Sequence, residues 1–476
     1  MKSPILGGSV VARSVNAADN RLVNLFPEVV PEGGKEPGFL NRAPGLRLLT
    51  TVGAGPIRGM WQYGDYGYVV SGVELYKIDT AYTSTLLGTV SGTGPVSMAD
   101  NGTQLFIACN PKGFIYNALT SVFVEITDVD FPGAQMVGYV DGYFVFTEPN
   151  SQRYWITSIL EGTQVDPLDF ASAEGDPDNI VSLIIDHREI WIFGNNSIEV
   201  WYDAGAPTFP FERIQGAVNE IGCSATYSVA KLDTSIFWLG GDKRGKGIIY
   251  RADGYTGKRV STHAVEWQIQ QYSTLSDAVA YTYQQDGHAF YVLTFPTANA
   301  TWVYDVSAQV WHERAGFVDG EFVRHRSNCQ MQFAGTTIVG DYENSNLYAF
   351  DLDVYADNGA VQRWLRTWRA LPTGQNNLKR TIHHTMQIDC ESGTGLVTGQ
   401  GSDPQFMLRF SDDGGHNWSN ERWTSGGKIG ETNKRVIYRR LGMTLALRDR
   451  VYELSGTDPV KIAIMGAELT ISPTNA

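Results

Sequence analysis

Cysteine is scarce in this sequence. The chain has 476 residues and only four cysteines, Cys109, Cys223, Cys329 and Cys390. They lie far apart, and no two of them form a Cys-x-x-Cys pair. Isolated cysteines in β-type runs are usually buried thiols, whereas structural zinc sites need closely spaced ligands. We therefore expect buried thiols and no metal site.

Long apolar stretches are also missing. No run approaches the ~20 apolar residues that a membrane-spanning helix needs, and no long stretch has a helical apolar period. The N-terminal sequence, Met-Lys-Ser-Pro-Ile-Leu-Gly-Gly, lacks the sustained apolar region of a secretory signal. We expect a protein without membrane insertion that is made and kept in a cytosol.

Positive charge is in deficit. The chain has 37 Lys and Arg against 51 Asp and Glu, which gives a net charge of −14 and a pI near 5.1. Non-specific affinity for nucleic acid comes mostly from basic contacts to phosphate. The balance therefore argues against a protein that grips DNA. One local basic strip is present, made by Lys434, Arg435, Arg439, Arg440 and the pair Arg448 and Arg450.

Glycine and aromatic residues are abundant, as in turn-rich β proteins. Residues 180–214 show the repeating unit most clearly. Apolar runs at 180–185, 189–193 and 197–202 are separated by short turns, and a weaker run follows at 211–214. The turn between the second and third runs contains Gly and Asn, which accept positive φ. This pattern predicts a four-stranded antiparallel meander, the shape of one β-propeller blade.

The same sub-pattern returns along the chain. An apolar strand and a short turn precede an aromatic residue in seven places. The aromatic markers recur at intervals of roughly 40–50 residues, the repeat length of propeller blades, whereas an ordinary β-sandwich would not return to one sub-pattern. We expect these markers to pack within the blades: Tyr76, Tyr116, Trp155, Trp201, Tyr250, Tyr304 and Tyr348.

The predicted fold class is all-β, with a propeller of six or seven blades between two other regions. An extended N-terminal arm covers residues 1–52, the propeller covers 53–355, and a β-sandwich-like domain covers 356–476. The last domain is predicted from strand signals at 381–388, 405–410, 435–447 and 460–471, without a helix signal.

The arm contains a short apolar patch. Leu22, Val23, Leu25 and Phe26 are too few to fold alone, and Pro27 limits continuation of the segment. We expect this patch to dock on another domain or on a neighbouring subunit.

One motif in the last domain resembles an Asp-box. Ser411, Asp413, Gly415 and Trp418 fit the pattern S-x-D-x-G-x-x-W, with Asn417 where Thr is usual. The Asp carboxylate accepts backbone N–H groups in a tight turn, and the glycine supplies positive φ. Sialidases and other glycan-active propellers carry such boxes. The box itself stabilises a hairpin turn and occurs here once, so we predict a structural role for these four residues.

Other candidate motifs fail on chemical grounds. The glycine-rich segment 240–247 has Gly247 where a P-loop needs Ser or Thr, and a strand rather than a helix follows it. The segment 351–359 lacks the fifth-position ligand of a calcium loop. His383 and His384 are neighbours in a strand and point to opposite faces. We predict no catalytic, cofactor-binding or metal-binding residues.

Four segments in order resemble the packaged-DNA stabilisation family of short-tailed bacteriophages, whose members are tail-hub or nozzle proteins. They are Asn-Arg-Leu-Val-Asn-Leu-Phe-Pro-Glu at 20–28, the Pro-Gly-Leu turn at 44–46 that leads to 56–60, the Trp-containing run at 190–201, and the basic segment 434–442. None of these motifs carries chemistry. The resemblance lies in their order and spacing over nearly the whole chain.

Membership of that family would imply a structural virion protein that is not an enzyme. It would form a ring of six copies below the head–tail adaptor of the portal vertex. The ring would close the DNA channel with a tail plug or needle and anchor tail fibres or tailspikes. DNA would pass through an acidic lumen without specific binding. The protein would assemble in the host cytoplasm and remain in the virion tail.

The alternative is a glycan-binding or glycan-hydrolysing, sialidase-like propeller. A sialidase would usually carry several Asp-boxes within its blades and an early Arg-Ile-Pro motif, and the sequence has neither. A glycosidase also needs two carboxylates across a pocket, and the sequence alone nominates no pair.

Overall fold

The computed structural model describes residues 1–14, 17–30, 33–173, 175, 178–242, 245–375, 379–445 and 449–474. Strands make up 54% of the chain and helix 2%, so the predicted all-β class is confirmed. Five residues of the motifs and predicted strands named above lie outside the described residues: Lys243 and Arg244 of the glycine-rich turn, Ala446 and Leu447 of the predicted strand 435–447, and Arg448 of the basic strip.

The N-terminal segment consists of short strands separated by turns. They are β1 (Lys2–Ser3), β2 (Val10–Val11), β3 (Asp19–Asn20), β4 (Leu22–Val23), β5 (Leu25–Val29), β6 (Gly38–Arg42) and β7 (Gly45–Thr51). Four of them, β1, β4, β6 and β7, pair with strands from distant parts of the chain. The segment is therefore held by the rest of the fold.

The propeller begins with four regular blades, each an antiparallel sheet of four consecutive strands. Blade 1 contains β8 (Ile57–Tyr63), β9 (Tyr66–Ser71), β10 (Glu74–Ile78) and β11 (Ser84–Thr89). Blade 2 contains β12 (Ser97–Asp100), β13 (Gln104–Cys109), β14 (Lys112–Asn117) and β15 (Val122–Glu125). Blade 3 contains β16 (Val137–Val140), β17 (Tyr143–Thr147), β18 (Arg153–Ile156) and β19 (Phe170–Ser172). Blade 4 contains β20 (Ile180–Asp186), β21 (Glu189–Gly194), β22 (Ile198–Asp203) and β23 (Phe211–Asn219).

Blades 5 to 7 depart from this regular pattern. Blade 5 has a split first strand, β24 (Gly222–Cys223) and β25 (Ala230–Leu232), followed by β26 (Ser235–Asp242), β27 (Gly245–Asp253) and β28 (Thr256–Arg259). The helix α1 (His263–Gln270) leads to blade 6, which contains β29 (Val279–Gln285), β30 (His288–Phe295), β31 (Ala300–Asp305) and β32 (Val310–Glu313). A hairpin of β33 (Ala315–Val318) and β34 (Glu321–Arg324) precedes blade 7, which contains β35 (Ser327–Phe333), β36 (Thr336–Asp341) and β37 (Asn346–Asp351). A second hairpin, β38 (Ala356–Asp357) and β39 (Ala360–Val361), follows.

Hydrophobic clusters show that the blades form a closed ring. Among the described residues, one apolar cluster lies between each pair of neighbouring blades, and this includes blades 7 and 1. The last cluster joins Ile57 and Val69 of blade 1 to Ile338 and Leu347 of blade 7. Because both faces of each blade are buried, the middle strands read as continuous apolar runs. The seven aromatic markers all lie in the third strand of their blades.

Five of the seven markers are buried, and two are not. Tyr76 and Trp201 are half-buried. The Trp201 indole N–H donates to Glu199 Oε2 at 3.1 Å, and its ring packs edge-on against Tyr154. Both rings pack against the apolar clusters beside their blades but keep part of their surface exposed.

The N-terminal segment completes blade 7 and extends blade 6. Strand β7 is the fourth strand of blade 7, where Leu46 pairs with Phe350 and Gly45 with Asp351. Strand β4 pairs with β32, the last strand of blade 6, through Val23 and Glu313. The ring is thus closed by hydrogen bonds between the two ends of the propeller sequence.

The C-terminal domain is a two-layer sandwich, as predicted. The first layer contains β40 (Trp364–Arg369), β45 (Val451–Gly456), β42 (Gln405–Ser411) and β43 (Arg422–Ser425), in that order. The second contains β44 (Val436–Met443), β41 (Thr381–Cys390), β46 (Ala463–Pro473), β6 and β5, and β1 also pairs with β46. Trp364, Trp368 and Leu454 fill the core between the layers together with Leu22 and Leu25 of the N-terminal segment.

Strand pairing crosses the predicted domain limits. The first sandwich layer and blade 6 form one nine-stranded sheet through β4, which lies between β32 and β40. The boundaries 1–52, 53–355 and 356–476 therefore remain predictions about how the sequence divides into an arm, a propeller and a sandwich-like domain. In the fold, the N-terminal segment belongs to both the propeller and the sandwich. The sequence did not predict this shared role of the N-terminal segment, because its strands are too short to give a distinct apolar pattern.

Candidate functional site

The predicted Asp-box forms the turn that follows β42 and leads to β43. Ser411 Oγ donates to Asp413 Oδ1 at 2.7 Å, and the Gly415 N–H donates to Ser411 Oγ at 2.9 Å. The Asn417 N–H and side-chain amide donate to the two Asp413 oxygens at 2.8 and 2.6 Å. These bonds hold the pKa of Asp413 well below its usual range.

The box faces the N-terminal segment. Gly415 has φ +102°, and a side chain there would collide with the carboxylate of Asp19. Trp418 is half-exposed, with the Arg409 guanidinium 4.8 Å from its ring centre. This geometry suits a turn that holds the hairpin against the arm. The structural role of Ser411, Asp413, Gly415 and Trp418 stays a prediction.

Two neighbouring aspartates allow that prediction to be tested. Asp412 binds the Arg450 guanidinium through both oxygens, at 2.6 and 2.7 Å, and both side chains are buried. Asp412→Ala should cost about 3–5 kcal/mol, because it leaves a buried guanidinium without its carboxylate. Asp413→Ala should lower the melting temperature by less, because its side chain is more exposed. Thermal unfolding of both variants measures the order, and a larger loss for Asp413→Ala would contradict it.

The most extensive polar site lies where the N-terminal segment meets the sandwich. Arg366 in β40 is fully buried and faces no carboxylate among the described residues. Its guanidinium donates to the carbonyls of Ile5 at 2.6 Å and Gly8 at 3.0 Å, with longer bonds to Leu6 and Arg21. Burial lowers the pKa of Arg366 to about 9. The N-terminal segment, as far as Arg21, is thus wrapped around one cation of the sandwich.

A second buried arginine joins three regions of the chain. Arg42 in β6 donates to the carbonyls of Val460 at 2.9 Å, Tyr355 at 3.0 Å and Gln362 at 2.5 Å. Burial lowers the pKa of Arg42 to about 10. Gln362 also donates to Asp357 Oδ1 at 3.2 Å, and burial raises the pKa of Asp357 to about 6. Arg42 therefore connects the arm, the linker after blade 7 and the sandwich.

Asn24 and Arg21 complete this junction on the propeller side. The Asn24 side-chain amide donates to the carbonyls of Ala315 at 2.8 Å and Arg363 at 2.7 Å, and its oxygen accepts the Ala315 N–H. Arg21 binds the Glu313 carboxylate through two bonds of 2.6 and 3.2 Å. The sequence analysis did not predict the roles of the buried residues at this junction. For Arg366, the available signal was its position between the apolar residues of segment 364–368.

The centre of the propeller is filled by its own chain. The loop that splits the first strand of blade 5, residues 224–229, crosses toward other blades. The Tyr227 hydroxyl donates to the Pro95 carbonyl at 3.0 Å, and the Thr226 hydroxyl accepts from Gln135 at 3.1 Å. Ser182 of blade 4 donates to the Thr226 carbonyl at 2.7 Å. The propeller therefore has a plugged axis.

A cleft of about 710 Å³ opens beside this plug. Its lining includes Arg58, Tyr227, Arg324 and Tyr342, and Asp277 is the one carboxylate among its described lining residues. The Arg58 guanidinium donates hydrogen bonds to the carbonyls of Gly72, Val90 and Gly94 and to Cys109 Sγ. A glycosidase needs two carboxylates across the scissile bond. The cleft does not supply that pair.

The glycine-rich segment and the two neighbouring histidines lie in or between strands of the fold. The glycine-rich segment joins β26 to β27, two strands of blade 5. His383 is buried against the Tyr452 hydroxyl, whereas His384 is exposed and contacts Ser472. Within the described ranges, no three His, Cys, Asp or Glu side chains are placed to hold a metal ion. No described helix has the length and apolar character to cross a membrane.

The cysteine prediction needs a small correction. All four cysteines are free, but only Cys109 and Cys223 are buried, while Cys329 and Cys390 are half-buried. Burial nevertheless raises the pKa of the Cys329 and Cys390 thiols to about 12. Thiols in this state are poor nucleophiles.

Two family models match almost the whole chain. The first is described as bacteriophage P22 Gp10, β-propeller, and matches residues 1–355. The second is described as bacteriophage P22 Gp10, β-sandwich, and matches residues 363–472. Among curated proteins, none matches the sequence.

Solved structures give only distant similarity. The extracellular domain of a hybrid two component system of B. thetaiotaomicron is 10% identical, with a TM-score of 0.44, over 95% of this chain and 61% of that one. PorZ of Porphyromonas gingivalis, a component of the type-IX secretion system, is 12% identical, with a TM-score of 0.40, over 79% and 46%. The computationally designed protein Ika8 is 10% identical, with a TM-score of 0.40, over 64% and 99%. At TM-scores below 0.5, these likenesses carry no argument about function.

Proposed function

Because the chain belongs to the bacteriophage P22 Gp10 family and is a structural protein of a phage tail, we propose that it is the ring subunit of the tail hub, or nozzle. In this proposal, six copies continue the DNA channel below the head–tail adaptor of the portal vertex. The ring seats a tail plug or needle, anchors fibres or tailspikes, and helps to retain the packaged DNA.

The observation that carries the ring proposal, beside the family, is the plugged propeller axis. Tyr227 and Thr226 fill the centre with bonds to Pro95, Gln135 and Ser182. A DNA duplex cannot pass through a single propeller whose axis is filled in this way. In the proposal, the channel for DNA therefore lies between copies of the chain, with the propellers as its wall.

The buried junction suits a protein that bears force. Phosphates of packaged DNA are crowded and repel one another, so the tail is under load until ejection. Arg42 and Arg366 bind carbonyls from regions far apart in the sequence, and β4 links two domains within one sheet. Pulling the propeller and the sandwich apart would break these bonds together, which favours a mechanical role.

The charge balance favours passage of DNA without binding. A net charge of −14 repels phosphate at short range even in salt. The ring would retain DNA by holding a closure, and not by gripping the duplex.

Particles that lack the protein should package DNA and then lose it. Packaging uses the portal and its motor, so filling should be normal, but no plug can be seated. The measurement is nuclease protection of the genome in mutant particles at low and high salt. Retention by complete particles should depend little on salt, unlike a Lys/Arg clamp. Genomes that stay protected without the protein would remove the sealing role.

The glycan-active alternative has less support. The Asp-box turn packs on the arm, and the propeller cleft has no carboxylate pair among its described lining residues. Release of sugar from a glycan panel by the purified chain would revive that alternative.

A further inference from the structure

The acidic residues are concentrated in one part of the propeller. Residues 118–173 contain eight Asp and Glu and one basic residue, Arg153, so this range holds half of the net charge of −14. Two of the carboxylates, Glu125 and Asp141, are paired with Lys112 and Arg188 from outside the range, and the other six carry the acidic character. They span blades 2 and 3. The same region exposes Leu119, Val129, Ile159, Leu160 and Leu168, each at least 60% exposed. We call this surface the acidic end.

The acidic end is an ordered surface. The loop between β18 and β19 is tied down by Glu161, whose carboxylate accepts from Gln104 Nε2 at 3.0 Å and from the Thr163 hydroxyl at 2.8 Å. The Leu160 N–H donates to the Gly142 carbonyl at 2.8 Å, and the Val165 N–H donates to Asp128 at 3.3 Å. These bonds hold the loop that exposes Ile159, Leu160 and Leu168. Exposed apolar groups that cluster in one patch mark interaction sites.

The sandwich carries the opposite charge. Residues 422–440 contain six Lys and Arg and one acidic residue. Lys428, Lys434, Arg439 and Arg440 are exposed, and none forms an ion pair with a described residue. Apolar side chains are exposed in the same domain: Val397, Trp423, Ile429 and Leu445, each at least 60%. We call this surface, which includes Lys434, Arg435, Arg439 and Arg440 of the basic strip, the basic end.

The two ends lie on opposite sides of the molecule. Strand β43 is the last strand of the sheet that begins in blade 6, five strands beyond β32. At about 4.8 Å per strand, β43 lies about 24 Å from β32 along the sheet. In a ring of seven blades, blades 2 and 3 lie across from blade 6. One molecule thus presents complementary charge and exposed apolar groups at its two ends.

We propose that the acidic end of one copy binds the basic end of the next copy, and that this is the subunit contact of the ring. Complementary but different surfaces on one chain form a heterologous contact, which generates a ring when the rotation closes. The opposite charges would guide this pairing and disfavour acidic-to-acidic contacts. The inference rests on the proposed function, since it assigns the surfaces of the proposed ring.

The test reverses charge at each end separately. The acidic variant is Asp130→Lys with Asp169→Lys, whose carboxylates make no hydrogen bond to a described residue. The basic variant is Arg439→Glu with Arg440→Glu, and a third chain combines all four changes. The control is Lys246→Glu with Lys258→Glu on blade 5, which changes exposed charge outside both ends. Melting temperatures of the purified chains establish that each variant folds.

The readouts are copies of the chain per tail and the ring in negative-stain images. Each single-end variant should enter tails about 100-fold less well, because it places like charges together. The four-change chain should restore the ring, and the blade 5 control should keep it. Normal rings from either single-end variant would overturn the inference and leave the ring proposal standing, as would failure of the four-change chain to assemble. Wild-type tails without a ring would overturn the proposed function itself.

Discussion

Removal of residues 1–30 should unfold the C-terminal sandwich. Ile5, Leu22 and Leu25 lie fully buried in its core, so the truncation opens that core. Loss of three such side chains costs about 6–15 kcal/mol at the usual 2–5 kcal/mol each. The four carbonyls that accept from Arg366 also disappear and leave a buried cation unsatisfied. Together these losses exceed the stability of a typical domain.

Limited proteolysis and near-ultraviolet circular dichroism would measure this loss. Cleavage should concentrate in residues 363–472, while blades 1 to 5 remain resistant. Strand β5 offers a matched pair of point variants. Leu25→Ala should cost about 2–5 kcal/mol, whereas Val29→Ala, at a 68% exposed position, should change stability by less than about 0.5 kcal/mol. A truncated chain with an intact sandwich would leave the arm without a structural role.

Acid should destabilise the fold strongly between pH 6.5 and pH 4. Three histidines are buried and held neutral. Burial, reinforced by Arg314 and Arg326, lowers the pKa of His325 to about 3. Burial, with Arg450 nearby, lowers the pKa of His383 to about 3, and burial also lowers the pKa of His312 far below 6.5.

The direction follows from proton binding. Unfolded histidines take up protons near pH 6.5, whereas these folded ones do not, so the stability present above pH 6.5 is lost as the pH falls. Between pH 6.5 and pH 5, each histidine should lower the free energy of unfolding by about 2 kcal/mol, because each pH unit is worth about 1.36 kcal/mol. Asp357 acts in the opposite sense, because its pKa of about 6 lets the folded state take up a proton first. The three histidines outweigh this single carboxyl.

Urea unfolding at pH 7 and pH 5, followed by tryptophan fluorescence, tests this expectation for the sandwich. His383→Gln keeps groups that can bond the Tyr452 and Thr381 hydroxyls and removes the titration. This variant should lose about 2 kcal/mol less than the wild type between the two pH values. His263→Gln, at a 90% exposed side chain, is the control for replacing a histidine at the surface. Equal pH dependence in His383→Gln and the wild type would show that His383 is not held neutral.

The blades were predictable because each is a local unit. A meander of strands such as β20 to β23 needs only neighbouring turns and apolar runs, and these repeat in the sequence. In the sandwich, the predicted strands at 381–388 and 405–410 correspond to β41 and β42. Strands β40 and β45 were missed, because buried polar residues such as Arg366 and Glu453 interrupt their apolar pattern, and β43 has only four residues.

The sites that depend on distant residues were not predictable from local patterns. An isolated arginine such as Arg366 suggests a surface position, and only the fold reveals the carbonyls that surround it. The Asp-box was found because its chemistry lies within one short turn. Half of the proposed ring contact was visible as the basic strip. A charge count over windows the length of one blade would have found the acidic end.

The pairing of the first strand with the last has a consequence for how the protein is made. Lys2 pairs with Glu468 and Ser3 with Ala467. Strand β7 pairs with β37, the last strand of blade 7 in the sequence, and cannot form its hydrogen bonds before β37 has been made. Strands β45 and β46 must therefore leave the ribosome before the two layers of the sandwich can close. Contacts of such long sequence separation form late, after the local meanders have folded. Until β46 has emerged, the nascent chain holds blades without a finished sandwich.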